Sequence, residues 1–254
     1  AIVKRPKKIA TNLGRLASIT YAIAPGNYQW RIRGQNSAYH SNYTFNYSFT
    51  VIATSDLTTQ QVILLNPSDA IYTNNPSIIL GWQSIPAATT YNFELVSVTG
   101  GDAIINQQSG LTTTSLTLNS TILATDAEYK WKVKGVNTTS ATNFSSRRFF
   151  LDRVNPNTPV NSSPANNSVQ ISSQTIVFNW TLPSDTGNVQ SAVSSTIEIS
   201  NDINFTTILQ TSNTSTTSYQ QSFNTSGDYY WRVKARDAAS NVGAYSPAFK
   251  FTIN

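Results

Sequence analysis

The stretch GNYQWRIRG, residues 26–34, alternates two kinds of side chain. Its aromatic and aliphatic members, Tyr28, Trp30 and Ile32, alternate with Gln29, Arg31 and Arg33. Successive side chains of an extended chain point to opposite faces, so the stretch is predicted to be a strand with an apolar face and a basic face. Either the two faces form a binding site for a sugar or a polyanion, or they are the inside and outside of a sheet.

The pattern occurs three times in the 254 residues, with copies AEYKWKVKG at 127–135 and GDYYWRVKA at 227–235. The central tryptophans, Trp30, Trp131 and Trp231, are separated by 101 and 100 residues, the size of one immunoglobulin-like sandwich. A second repeated signal, SIILGWQSIP at 77–86 and TIVFNWTLP at 175–183, precedes the later copies. It places Trp82 and Trp180 at 49 and 51 residues before Trp131 and Trp231. The later two repeats therefore share one internal spacing.

Short segments of alternating polarity lie between these landmarks and are predicted strands. They are YNFELV (91–96), TSLTL (114–118), TIEIS (196–200) and TSYQQSF (217–223), with closing strands NYTFNYSFTV (42–51), SRRFFL (146–151) and SPAFKFTI (246–253). Many short strands without helical periodicity predict an all-β fold of packed antiparallel sheets.

An early strand with Trp and a nearby Pro, followed by Tyr-x-Trp-x-Val-x-Ala/Gly and an aromatic closing strand, resembles a known family. It is similar to the fibronectin type III-like modules of bacterial cell-surface and lipid-anchored proteins of the Bacteroidetes type. Immunoglobulin domains proper carry a cysteine pair between their sheets, and this chain has no cysteine. The resemblance implies tandem fibronectin type III-like antiparallel β-sandwiches: a partial module at 1–52 and complete modules at 53–153 and 154–254.

The first module is predicted to be incomplete, because counting the same spacing back from Trp30 leaves no room for its first two strands. Its closing strand places Tyr43, Phe45, Tyr47 and Phe49 on one face. Leaving those rings in water would forgo roughly 4 to 6 kcal/mol for each. Two explanations remain open: the native chain is longer, or a partner chain donates the missing strands by β-augmentation.

The tryptophans and the tyrosines two places before them recur in register in the modules. This repetition favours core positions over a sugar-stacking platform, and the tyrosine resembles the tyrosine corner of such sandwiches. The predicted core residues are Tyr28, Trp30, Trp82, Tyr129, Trp131, Trp180, Tyr229 and Trp231.

The basic face of the repeated strand is the one candidate contact surface. Its members are Arg31, Arg33, Lys130, Lys132, Lys134, Arg232, Lys234 and Arg236. One interpretation is a track for a polyanion. The other is that the aliphatic stems cover the sheet while the charged heads pair with the neighbouring strand, where Glu94 and Glu198 lie at outward positions.

Catalytic, metal-binding and cofactor sites are not predicted. The chain has no cysteine and one histidine, His40, and its twelve acidic residues include no close pair except Asp126 and Glu128. In RDAASNVGAYS (236–246), Asp237, Asn241 and Gly243 suggest oxygen ligands for calcium, but the spacing of a calcium loop is absent, which favours an ordinary turn.

Charged residues make up 11% of the chain against about 25% in an ordinary domain, a neutral surface common in exported proteins. No apolar run is long enough to span a membrane, and an upstream lipid anchor is compatible with the sequence. We therefore expect an extracytoplasmic, non-enzymatic interaction or scaffold protein, such as an accessory subunit of an outer-membrane complex. Its partner would be a protein, or a glycan, at the cell surface, and not nucleic acid. The alternatives are a carbohydrate-binding module, which would show aromatic rings clustered on one solvent-facing surface, and a non-catalytic region of a larger secreted enzyme.

Overall fold

The computed structural model describes residues 23–51 and 55–254. The expectations that fall on residues 1–22 and on the predicted module boundary at 52–53 lie outside these residues. The chain divides into two compact units, Ala1–Ser55, here the N-terminal unit, and Asp56–Asn254. Every regular element in the described residues is a β-strand. The described residues form no helix with the length and hydrophobicity needed to span a membrane.

The described part of the N-terminal unit is a two-stranded antiparallel ladder. Strand β1 is Gly26–Trp30 and strand β2 is Tyr47–Val51, with Tyr28 opposite Phe49 and Trp30 opposite Tyr47. Directly opposed residues share a face, and both pairs of rings are stacked, with centroids 5.6 Å and 4.9 Å apart. Among the described residues of this unit, no second sheet packs on that face.

The second unit begins with what we call the middle sandwich. Its eight strands are β3 (Leu64–Asn66), β4 (Ile71–Thr73), β5 (Ile78–Trp82), β6 (Thr90–Ser97), β7 (Ala103–Leu111), β8 (Ser115–Leu118), β9 (Ala127–Val136) and β10 (Ser145–Leu151). One sheet has the order β3-β5-β8 and the other the order β4-β10-β9-β6-β7. All neighbours are antiparallel except β4, which runs parallel to β10.

The remaining residues form the C-terminal sandwich, which repeats this order. Its nine strands are β11 (Val160–Ser163), β12 (Ser168–Gln170), β13 (Thr175–Thr181), β14 (Ser194–Ser200), β15 (Gln210–Thr214), β16 (Ser218–Ser222), β17 (Gly227–Arg236), β18 (Val242–Tyr245) and β19 (Phe249–Ile253). The sheets are β11-β13-β16 and β12-β19-β17-β14-β15, with β18 also paired to β17. Both sandwiches are fibronectin type III-like, and the predicted fold class, tandem antiparallel β-sandwiches, is confirmed.

Alternating burial explains why each strand lies where it does. Along β9 the side chains alternate between buried and partly exposed at every position, so Tyr129, Trp131 and Val133 enter the core while the lysines face outward. Each sandwich has its own hydrophobic core, with Trp82 and Trp131 in one and Trp180 and Trp231 in the other. The alternation that the sequence shows is thus the alternation between core and surface.

A tyrosine corner closes the entrance to the repeated strand in all three copies. The hydroxyl groups of Tyr28, Tyr129 and Tyr229 each donate to the backbone carbonyl four residues earlier, at 2.7, 2.6 and 3.0 Å. This bond ties the loop before the strand to the first inward ring of the strand.

Candidate functional site

The predicted basic face lies on the outer surface of the larger sheet in both sandwiches. Strand β9 lies between β6 and β10, and β17 lies between β14 and β19, so their outward side chains occupy the middle of the sheet. The lysines of β9 are partly exposed and alternate with the buried aromatic residues. The structure therefore brings three lysines together on one sandwich and Arg232, Lys234 and Arg236 together on the other.

On the middle sandwich the basic face is partly engaged by its neighbours. Lys132 lies directly opposite Glu94 on β6, and their charged atoms are 2.5 Å apart. The ammonium groups of Lys132 and Lys134 lie 5.3 Å and 4.8 Å from the centre of the Phe144 ring, within the range of a cation–π contact. The lysine stems thus cover the sheet. The ammonium group of Lys132 contacts Glu94 and the Phe144 ring, and that of Lys134 contacts the same ring.

The C-terminal sandwich has a tighter version of this arrangement around Glu198. Both Nε and Nη2 of Arg232 donate to Glu198 Oε2, at 3.0 and 2.7 Å, and the Tyr245 hydroxyl donates to Oε1 at 2.6 Å. The guanidinium lies 4.0 Å from the centre of the Phe205 ring and 3.8 Å from that of Tyr245. Burial alone would raise the pKa of Glu198, but the hydrogen bonds from Tyr245 and Arg232 and the nearby positive charges outweigh it and lower that pKa.

In the N-terminal unit, Arg31 and Arg33 both lie over one ring. Their guanidinium carbons are 4.1 Å and 4.9 Å from the centre of the Tyr43 ring. The pairing of basic outward residues with an aromatic ring therefore recurs in all three copies of the motif.

On the two sandwiches, four cations of the basic face take part in no ion pair among the described residues. No ion pair there involves Lys130, Lys134, Lys234 or Arg236. Because Lys134 and Lys234 stand at equivalent places in the two sandwiches, each sandwich presents a positive charge that is in no such ion pair and lies beside an aromatic ring; the charge of Lys234 also acts on Glu198. Such a surface can bind carboxylates, phosphates or sulfates by charge.

The predicted core residues of the two sandwiches are buried, whereas their counterparts in the N-terminal unit are not. Trp131 and Trp231 are fully buried, but Trp30 is 48% exposed. The described residues of the N-terminal unit provide no opposing sheet, so only the neighbouring strand covers the rings there. All strongly exposed aromatic side chains of the described residues belong to this unit: Trp30, Tyr39, Tyr43, Phe45, Tyr47 and Phe49.

A feature that the sequence did not predict lies where the middle sandwich meets the C-terminal one. Asp152 directly follows β10, Asp185 lies in the loop between β13 and β14, and Asp237 directly follows β17. A carboxylate oxygen of each lies within 4.8 Å of the others, and all three residues are buried. This cluster could not be predicted from the sequence, because the three residues are 33 and 52 positions apart in the chain and only the fold joins them. We call them the acidic triad.

The backbone at this junction is closely packed. The side-chain amide of Asn241 donates to Asp152 O and to Asp237 Oδ2, at 2.9 and 2.7 Å. A Cβ atom added at Gly243 would lie 2.4 Å from the carbonyl oxygen of Pro156, in the segment that joins the sandwiches. Burial raises the pKa of Asp152 against the opposing hydrogen bond from Val154, and the neighbouring Asp237, Asp185 and Asp126 raise it further.

Comparison with known proteins gave limited matches. No protein-family model matches the chain. A fatty acyl-CoA reductase from Acinetobacter baylyi is 92% identical over 25 residues, which are 10% of this chain and 8% of that protein. A match of this length covers too little of either protein to bear on function.

Solved structures similar to this chain include fibronectin type III modules. The fibronectin(III)-like modules of Clostridium thermocellum CbhA are 14% identical with a TM-score of 0.48, covering 76% of this chain and 94% of that one. The chicken CNTN1 FN1-FN3 domains are 15% identical with a TM-score of 0.49, covering 89% of this chain and 75% of that one. A two-domain fibronectin type III segment of chicken tenascin is 14% identical with a TM-score of 0.30, covering 76% and 97%.

Proposed function

We propose that this chain is a non-catalytic interaction or scaffold protein at the cell surface, outside the cytoplasm, that binds a partner protein. The observation that carries the proposal is the basic face, in which Lys134 and Lys234 present equivalent charges that are in no ion pair of the described residues and lie beside the rings of Phe144 and Tyr245. We also propose that this chain is part of a bacterial surface protein of the Bacteroidetes type, which a lipid attached upstream anchors to the membrane.

The chemistry of this surface favours an acidic partner. Cations held over aromatic rings lose less side-chain entropy on binding because the rings already restrict them. The same geometry explains why Lys132 and Arg232 are poor candidates for contact, since their heads are occupied by Glu94 and Glu198. The basic face thus contains a fixed structural part and a part available to a ligand.

The test is affinity capture from the surface fraction of the source cells, with the intact chain immobilised. The double variant Lys134→Gln/Lys234→Gln should no longer capture the partner. Capture by the wild-type chain should weaken as the ionic strength rises, because salt screens surface charges. The control Arg148→Gln/Lys250→Gln removes as many charges from exposed ion pairs and should capture normally. Equal capture by both double variants would refute the basic face as the contact.

Carbohydrate binding is the second candidate, and a separate observation favours it. The exposed rings of the N-terminal unit lie together, with Trp30 stacked on Tyr47 in one ladder. Exposed aromatic faces of this kind can stack on sugar rings. Binding to a panel of soluble and insoluble polysaccharides should be lost in Trp30→Ala and kept in Tyr39→Ala, which removes a ring outside the two strands. Retention by Trp30→Ala would exclude this face as a sugar site.

A further inference from the structure

We infer that Asp152, Asp185 and Asp237 form a calcium site that joins the middle and C-terminal sandwiches. The ligand would be a hard divalent cation bound by carboxylate oxygens, one from the end of one sandwich and two from loops of the next. This goes beyond the proposed surface interaction and does not depend on it.

The spacing of the oxygens fits a single ion. Calcium binds oxygen at about 2.3 to 2.6 Å, so two oxygens on opposite sides of one ion lie about 4.6 to 5.2 Å apart. The three carboxylates of the triad each offer an oxygen within 4.8 Å of the other two. One ion can therefore contact all three without rearrangement of the backbone.

The second argument is an unpartnered atom. Asp152 is fully buried, its Oδ1 accepts a hydrogen bond from the Val154 amide at 3.0 Å, and its Oδ2 is buried without a hydrogen-bond partner. An ionised carboxylate oxygen left in this state costs folding free energy unless a cation or a donor reaches it. The unpartnered oxygen belongs to the one ligand that the middle sandwich contributes.

The charges of the acidic triad also favour a bound cation. Asp185 and Asp237 are only 6% and 5% exposed, and among the described residues no ion pair involves any member of the triad. Three buried carboxylates that are in no such ion pair repel one another, which a divalent cation would reverse. Since all donors are oxygens, calcium fits this set better than a metal that prefers nitrogen or sulfur.

The other two carboxylates are held as metal ligands are held. Asp185 Oδ2 accepts from the amide and hydroxyl of Ser191, at 2.8 and 3.0 Å. Asp237 Oδ1 accepts from the Asn241 amide and Oδ2 from its side chain, both at 2.7 Å. Such bonds fix the direction of a ligating carboxylate and leave it a further lone pair for the ion.

The middle sandwich provides an internal comparison. At the places equivalent to Asp185 and Asp237, counted from the tryptophans of each sandwich, it has Ala87 and Asn137. Asn137 Oδ1 accepts from the Ser140 amide at 2.8 Å, so a neutral residue closes the same loop. The loop does not require a carboxylate, and the charges at the junction therefore need another explanation, which an ion supplies.

The test uses the full chain, freed of metal with a chelator and titrated with calcium chloride by calorimetry. At about 10 mM calcium, well above the roughly 10⁻⁴ to 10⁻³ M dissociation constants of extracellular calcium modules, the site should be filled. Wild type should bind one ion, and its unfolding temperature should rise by about 5 °C. Asp152→Asn and Asp237→Asn, the latter matching Asn137, should weaken binding about tenfold or more.

Two further measurements separate a ligand role from a structural one. In chelator, Asp152→Asn should be at least as stable as wild type, because it removes one of three repelling charges, so its loss of calcium response cannot come from misfolding. Asp102→Asn, at an exposed turn, should respond to calcium as wild type does. The inference is overturned if wild type shows neither heat nor stabilisation, if the triad variants keep the wild-type response, or if magnesium stabilises equally at the same concentration.

Discussion

The side-chain nitrogen of Asn241 lies 2.9 Å from the backbone oxygen of Asp152, a hydrogen bond between residues 89 positions apart. It is the bond through which the loop after β17 holds the end of β10, and it is buried. The same amide also reaches Asp237, so one side chain links both sandwiches to the acidic triad.

Asn241→Ala should destabilise the chain by about 2 kcal/mol, because the carbonyl of Asp152 and one oxygen of Asp237 would stay buried without donors. Urea unfolding in chelator gives the free energy of unfolding. Asn213→Ala is the control, since the Thr196–Asn213 bond is exposed and its loss should cost little. Equal costs for the two substitutions would contradict a supporting role for Asn241.

Substitutions at equivalent tryptophans should have unequal effects. Trp131→Ala removes a fully buried ring and should cost about 3 to 5 kcal/mol, melting the middle sandwich. Trp30→Ala should cost less than half as much, because nearly half of that side chain is already exposed. Circular dichroism during thermal unfolding measures both. A folded Trp131→Ala protein that had only lost a ligand would assign this ring to a binding site instead.

The tyrosine corner should contribute a measurable amount of stability. Tyr129→Phe deletes the hydroxyl that donates to Thr125 O at 2.6 Å and should lower the free energy of unfolding by about 1 kcal/mol. Tyr72→Phe is matched to it, because the Tyr72 ring stacks on Phe150 and its hydroxyl makes no hydrogen bond among the described residues. A cost for Tyr72→Phe as large as that for Tyr129→Phe would mean that the hydrogen bond is not the cause.

Stability should depend on pH through Glu198. Its pKa is lower in the folded chain than the usual value of about 4.3, so folding favours the charged form. The advantage of wild type over Glu198→Gln should therefore be full above about pH 5 and disappear as pH falls through the folded pKa. Denaturant unfolding at several pH values measures this difference.

Tyr245→Phe provides a second measurement on the same carboxylate. It removes the donor 2.6 Å from Glu198 Oε1, which should raise the pKa of Glu198 in the folded chain, so that the loss of stability is smaller and is complete at a higher pH. A wild-type advantage that stayed constant down to about pH 3 would show that Glu198 gains nothing from its charge, since that range spans the usual carboxyl pKa.

The sequence was sufficient to predict the fold class, because the alternation around Trp131 and Trp231 matches the two faces of a strand in a half-buried sheet. The edge strands β7 and β15 were not predicted. Their polar residues, in AIINQQSGL and QTSNT, are largely solvent-facing and give little hydrophobic alternation. The short strands β4 and β12 were not predicted either. Each has only three residues and lies shortly after a proline, so it shows too few positions for alternation to be recognised.

The two candidate sites differ in how far apart their residues lie in the sequence. The basic face could be predicted because its members are two residues apart on one strand. The acidic triad could not, because Asp152 and Asp185 stand in unremarkable loops and meet Asp237 only through the junction. The Asp237–Asn241 loop was interpreted as a turn, which describes its backbone correctly and leaves out the carboxylates that come to it from elsewhere.

The close approach of Gly243 to the Pro156 carbonyl has a consequence for the exchange of one sandwich for another. A domain exchanged at residue 153 or 154 would separate Asp152 from the loop after β17 that binds its carbonyl, and an exchange beyond Pro156 would also separate Pro156 from Gly243. A replacement sandwich would have to bring a compatible tail, and any side chain at position 243 would collide with it. The two sandwiches should therefore be exchanged as a pair, together with the segment that connects them.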